Sequence, residues 1–223
     1  MGEGFGDFLA DFQFEYAAGL FDGYLASSGS WLMPAWRVAI HPFGAVDYTE
    51  GDFRQNTDDF LMSWGTSWYY DRGSEHADRA RTAWELDIAI KWYGFSLVGE
   101  WFWLKDDQRG VDARRTRAWY VQAGYMVLPA ELEIIARYGR VAWPWNANGS
   151  LAGESNEYNL VDTSQEWSVG VAYYWDQHHL KSLIEFGQTK VEFDEWSRGP
   201  SSSSYNFEDP DTWFLRIMFQ LEW

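Results

Sequence analysis

The sequence predicts an all-β fold, an antiparallel transmembrane β-barrel of about ten strands, with short periplasmic turns and long extracellular loops in a single domain over residues 1–223. Three observations predict it. Aromatic residues make up 20% of the chain, with 16 Trp, 13 Tyr and 15 Phe, more than one soluble core of this length readily buries, yet the mean hydropathy is −0.43. Apolar and polar residues alternate with period two over most of the chain, the spacing of a strand whose faces meet different surroundings. No apolar run approaches the roughly 18 residues that a membrane helix needs, so any spanning structure has to be built from strands, which face lipid only at every second position.

The strands are read in order. Phe12, Phe14, Tyr16, Ala18 and Leu20 alternate with Gln13, Glu15, Ala17 and Gly19; Trp36, Val38 and Ile40 alternate with Arg37, Ala39 and His41. Phe60, Met62, Trp64, Thr66 and Trp68 oppose Leu61, Ser63, Gly65 and Ser67. Trp84, Leu86, Ile88, Ile90 and Trp92 oppose Glu85, Asp87, Ala89, Lys91 and Tyr93. Past Gly94, a new run carries Phe95, Leu97, Trp101 and Trp103 on its apolar face, with Ser96 and Glu100 on the other. Trp119, Val121, Ala123, Tyr125 and Val127 alternate with Tyr120, Gln122, Gly124 and Met126. Pro129-Ala130 turns the chain, and Leu132, Ile134, Ala136 and Tyr138 then oppose Glu133, Ile135, Arg137 and Gly139. Trp167, Val169, Val171, Tyr173 and Trp175 oppose Ser168, Gly170, Ala172 and Tyr174. The return strand carries Leu180, Ile184 and Phe186 outside, and Lys181, Leu183 and Glu185 inside. Its phase slips near Gly187, where Gln188, Lys190 and Glu192 take outer positions, the mark of a bulge or of departure from the bilayer. The last segment, WFLRIMFQLEW, sets Trp213, Leu215, Ile217, Phe219, Leu221 and Trp223 against Arg216, Gln220 and Glu222.

Connection lengths support the reading. Long or medium segments at 194–210, 142–163, 106–116 and 71–81 alternate with tight turns at 176–179, at 129–130 and around Gly94, a parity that places the carboxyl terminus in the periplasm. Residues 42–58 are the exception: a tight turn is expected there and the segment is too long. Aromatics gather at strand ends, as two interfacial girdles require.

The inner face supplies the candidate solute-facing residues: Glu15, Arg37, Glu85, Asp87, Lys91, Glu100, Gln122, Glu133, Arg137, Lys181, Glu185, Arg216, Gln220 and Glu222. Acidic groups exceed basic ones there, and mutual pairing that holds the barrel's shape is as good an account of them as a solute pathway. The formal charge of −17 argues against a nucleic-acid partner, whose phosphates demand a basic surface. Cysteine is absent, which excludes disulfides and thiol chemistry. The opening MGEGFGDFLADF lacks the pattern of an export signal, so it is expected to be a mature, re-engineered or partial start.

Several phrases resemble the phosphate-selective porin O and P family: EYAAGLFDG at 15–23, RVAIHPFG at 37–44, WYVQAGYMVLPAELEIIARYGR at 119–140 and WSVGVAYYWDQHHLKSLIEF at 167–186. The resemblance implies a porin of the bacterial outer membrane, commonly trimeric, that passes small anions through a water-filled barrel. The ending Phe219, Leu221 and Trp223 resembles the signal read by the outer-membrane assembly machinery. Family members are longer and have more strands, and this sequence enters the pattern partway. About ten strands closed alone would leave a narrow or plugged lumen, and a wide pore would need a second copy or a partner chain. The mixed, slightly acidic inner face does not carry over phosphate selectivity.

No enzyme, cofactor or metal is expected. A barrel protease would need His and acids converging at the extracellular rim, where only His76, beside Glu75 and Asp78, offers a match that a solvated loop explains better. His178 and His179 point to opposite faces and make a poor metal pair. Asn148-Gly149-Ser150 reads as an ordinary turn. The expected function is therefore passive diffusion of small solutes or ions, with outer-membrane lipids around the chain; the alternative is a structural barrel or wall segment with no open pore. The non-membrane rival is a soluble sandwich that binds carbohydrate through its aromatics.

Overall fold

The computed structural model describes residues 11–23, 32–46, 51–53, 59–72, 79–108, 111–143, 161–176, 179–193 and 210–221. Ten strands follow one another: β1 (Gln13–Asp22), β2 (Leu32–His41), β3 (Leu61–Arg72), β4 (Arg79–Trp92), β5 (Phe95–Gln108), β6 (Val111–Leu128), β7 (Leu132–Ala142), β8 (Val161–Asp176), β9 (Leu180–Phe193) and β10 (Asp211–Leu221). Each pairs antiparallel with the next, giving one up-and-down sheet in the order β1 to β10. The sheet is not closed: among the described residues, β1 pairs only with β2 and β10 only with β9.

With a single layer, burial can come only from the sheet bending over one of its own faces. On β4, Asp87, Ala89 and Lys91 are buried, Ile88 and Ile90 between them are partly exposed, and Trp84, Leu86 and Trp92 on either side are exposed. The same alternation buries Gly124 and Met126 on β6, Glu133 and Ile135 on β7, and Lys181 and Glu185 on β9. The concave face is thus the one expected to be polar, and the convex face is apolar. Glycines let the bend happen. A Cβ at Gly65 would collide with Asp87 and Arg37, and one at Gly124 with Glu133 and Ser96.

The short turns are locally encoded. Tyr93 (φ 55°) and Gly94 (φ 78°) both take the left-handed conformation, as a two-residue turn matched to strand twist requires. At the next turn on this end Ala130 does so alone (φ 54°), Glu131 N donates to Leu128 O at 3.0 Å, and the register shifts between Met126 and Leu128.

Two expectations need correcting. The 106–116 connection is almost wholly strand, because β5 runs to Gln108 and β6 starts at Val111. β6 is 18 residues long, so its charged residues extend the ladder beyond the apolar stretch, where composition alone reads as loop. The change of polarity at Gly187 is no bulge: β9 and β10 keep one register from Leu180–Leu221 to Lys190–Asp211, and Gln188 accepts a hydrogen bond from Trp167 Nε1 at 3.1 Å.

Gly124→Val is expected to destabilise the protein refolded in detergent by about 1–3 kcal/mol, read from the urea midpoint, because the new side chain has to displace Glu133. Gly99→Ala, on the convex face where a Cβ meets Ile88 at 3.3 Å, is expected to cost less; equal losses would show that inner-face contact is not what Gly124 protects.

Candidate functional site

The concave face is a chain of polar contacts that link strands through and across their neighbours. Arg37 on β2 reaches over Gly65 of β3 to Asp87 on β4, donating from Nη1 to Oδ2 at 2.7 Å and from Nη2 to Oδ1 at 3.0 Å. Glu85 lies 3.9 Å from the same guanidinium and accepts a hydrogen bond from Ser67. The Asp87 side chain is 3% exposed and that of Arg37 36%, so the acid is sealed at the wall and the base faces the open side. A two-pronged bond of this kind fixes both position and direction.

Further along the face, Tyr120 donates to Glu100 at 2.7 Å, and the Arg137 guanidinium lies 5.0 Å over the Tyr120 ring. Gln122 sits beside them in register, opposite Val98 and Arg137. Glu133, 1% exposed, accepts from Ser96 at 3.2 Å across Gly124 and from Tyr174 at 2.5 Å. Glu185 accepts from Ser168 at 2.5 Å and from Arg216 at 2.6 Å, joining β8, β9 and β10. Lys91 and Lys181 are buried on the same face. Glu15, at the open β1 edge, is 3.4 Å from Nε2 of the buried His41, whose ring nitrogens have no hydrogen-bond partner among the described residues. Gln220 is half-buried on β10. Phe219 (76% exposed) and Leu221 (62%) point outward. Glu222 and Trp223 lie outside the described residues, as do Glu75, His76, Asp78, His178 and Asn148 to Ser150.

A floor to this face escapes a reading by periodicity. Residues 51–53, from the connection between β2 and β3, turn onto the inner surface at the short-turn end. Asp52, 1% exposed, accepts from Gly94 N at 3.1 Å. The Phe53 ring meets Tyr174 edge-on at 4.8 Å, against a buried cluster of Met126, Ile135 and Ala172. Gly51 holds a left-handed φ of 71°, and a Cβ there would strike the Met126 methyl. The only sequence signal for this floor is the length of 42–58 where a tight turn was expected. At the opposite end, Arg79 and Arg81 of β4 donate to Asp106 of β5, at 2.7 Å from Arg79 Nε and 3.1 Å from Arg81 Nη2.

No family model, curated protein or solved structure matches the chain. What the face can do chemically therefore follows from its own geometry. It offers carboxylates, hydroxyls and guanidinium groups, mostly committed to each other, along one side of the sheet from a charged rim at Asp106 to a floor at Asp52. Polar groups so paired present a wettable wall without leaving a charge stranded.

Arg37→Met is expected to cost about 2 kcal/mol or more in the urea unfolding of the refolded protein, since it removes the two-pronged cationic partner of the buried Asp87 carboxylate. Adding Asp87→Leu is expected to recover most of that loss; additive losses in the double variant would show that the two residues do not act as a pair.

Proposed function

We propose that the chain forms the wall of an outer-membrane porin-like channel through which small solutes or ions diffuse passively, in line with its resemblance to the phosphate-selective porin O and P family. The observation that carries this reading is the division of one sheet into a polar concave face and an apolar convex face. The convex face leaves Leu215 (67%), Ile217 (60%) and Phe219 exposed on one strand, a contiguous apolar surface that water disfavours and lipid accepts.

The aromatic order supports the same reading. Trp36, Trp68, Trp84 and Trp103 stand directly opposite one another on β2 to β5, with Trp36 and Trp84 rings 5.7 Å apart at 86°. The row passes on through Trp119 and Tyr138, 5.2 Å apart, to Trp167 and Trp213, 5.8 Å apart. A second set lies at the short-turn end, with Trp92 against Tyr93, Tyr173 against Trp175, and Phe43 against Phe60. From Trp84 to Trp92 a strand rises about 26 Å, or about 20 Å along the membrane normal at a tilt near 40°, a band comparable to that of outer-membrane barrels.

In lipid, the free edges of β1 and β10 have to be satisfied, since an unpaired backbone group costs several kcal/mol there. They run antiparallel, as the ends of an even-stranded meander do, so they can pair with each other or with a further chain. The second reading, a wall segment that completes or sheathes a larger assembly, draws on these edges and on the floor at residues 51–53.

The test is single-channel recording of the refolded chain in a planar bilayer, with reversal potentials in a salt gradient. Steady openings with a preference for cations are expected from the acidic excess of the inner face, and Phe53→Ala is expected to raise the conductance by removing part of the floor. A folded chain that stays silent would replace the channel with the wall segment.

A further inference from the structure

The convex face carries a second charged feature, and its sign is opposite to that of the molecule. In a chain of net charge −17, Arg115 and Arg117 on β6 and Arg140 on β7 all project from the outward side, and all three are exposed. The register sets them against the aromatic row: Arg117 stands opposite Trp103, and Arg140 opposite Trp119. Lys105 lies directly across from Arg115. The line continues along the ladder from Arg140 to Gln165 and from Gln165 to Lys190. A basic stripe thus crosses β5 to β9 just beyond the tryptophans, on the long-loop side.

The lysines at its ends have partners: Lys105 bonds Asp107 at 2.6 Å, and Lys190 lies 3.4 Å from Glu192. Among the described residues, Arg115, Arg117 and Arg140 form no ion pair, and only Arg140 feels an acid at longer range, Glu192. Like charges set opposite or diagonal on one sheet face repel, so the stripe costs stability unless something anionic sits on it. Arg115 and Arg117 are two residues apart on one strand, and Arg117 and Arg140 are diagonal neighbours, spacings of about 7 Å that let one phosphate-bearing headgroup touch two guanidinium forks.

We propose that Arg115, Arg117 and Arg140, flanked by Lys105 and Lys190, form a belt that binds the phosphate groups of lipid headgroups in the leaflet at the long-loop end. The proposal rests on the membrane-wall reading above, and adds to it a recognition site on the outer surface and an orientation. Tryptophan rings take the headgroup level, so cations one or two residue pairs beyond them meet the phosphate layer, not the acyl chains. Arginine's planar fork suits phosphate better than the ammonium of lysine does, and the three residues that form no ion pair among the described residues are all arginines. No residue of the concave face is involved, so the belt is separate from any solute pathway.

The experiment refolds the full chain into phosphatidylcholine vesicles containing a small fraction of phosphatidylglycerol with brominated acyl chains, and measures quenching of tryptophan fluorescence. Flotation with the vesicles is checked first. The expected result is preferential quenching by brominated phosphatidylglycerol over brominated phosphatidylcholine, with the preference falling roughly fivefold for each arginine removed and lost in Arg115→Gln/Arg117→Gln/Arg140→Gln. The Arg→Lys triple variant is expected to keep part of the preference, and added salt to weaken it. A wild-type chain that floats but shows no preference, or a triple glutamine variant that keeps it, overturns the belt while leaving the membrane reading intact. Displacement of the lipid by dilute inorganic phosphate overturns the lipid assignment in favour of a free-anion site. A chain that fails to float overturns the membrane reading, and the belt with it.

Discussion

Arg37 and Asp87 belong to strands that are not neighbours, and they meet only because Gly65 leaves nothing between them. The rest of the architecture depends on this kind of contact. A lone sheet has no second layer to pack on, so its curvature has to be held by side chains on its own concave face. Ser96 with Glu133 over Gly124 repeats the arrangement on β5 to β7. Arg216 with Glu185 and Ser168 extends the links to the last strand by adjacent steps. Each contact shortens the concave side, and together they convert an extended ladder into a trough.

The same contacts settle the polarity of the two faces. Carboxylates that bind guanidinium and hydroxyl groups at 2.5–3.2 Å are tolerated in a poorly hydrated wall because their charge is met at close range. Once the concave side holds the polar groups, the period of two sends Leu, Ile, Phe and Trp to the convex side. Fully burying one such aliphatic or Phe side chain is worth about 1.5–3 kcal/mol, so a row of them left in water is a standing cost that a surrounding apolar phase removes. The buried apolar cluster around Met126 and Tyr174 is small and sits at one end, under Phe53. It closes the trough and does not hold the sheet together.

Period two was legible over most of the strands, and with it the number of strands, their order and which residues share a face. That follows from local chemistry, since alternation is written residue by residue. Three features were not legible. Arg115 lies in the 106–116 stretch that reads as loop and Arg117 just past it, although β6 carries both on a ladder with β5. Gln188 and Lys190 looked like a break in phase, although they follow the same alternation, Gln188 in the aromatic row between Trp167 and Trp213 and Lys190 just beyond it. Asp52 and Phe53 belong to the one turn that failed the length rule, and their places against Gly94 and Tyr174 depend on strands far away in sequence. In each case the missing information was where a segment lies relative to the aromatic row, which no single strand reveals.

That dependence makes register the quantity on which the chemistry turns. A slip of one residue between β5 and β6 would exchange Tyr120 and Gln122 with Trp119 and Val121, and would bring Arg117 to the inside. The irregularities in the ladder lie where they do the least harm. Shifts occur between Asp106 and Gln108, Met126 and Leu128, Val161 and Thr163, and Tyr174 and Asp176, each at a strand end. Between the two aromatic sets the pairing of β5 to β9 is unbroken. Bulges absorb the fit of the turns at the margins, and the central stretch keeps the acids and Arg137 facing the trough and the apolar side chains facing out.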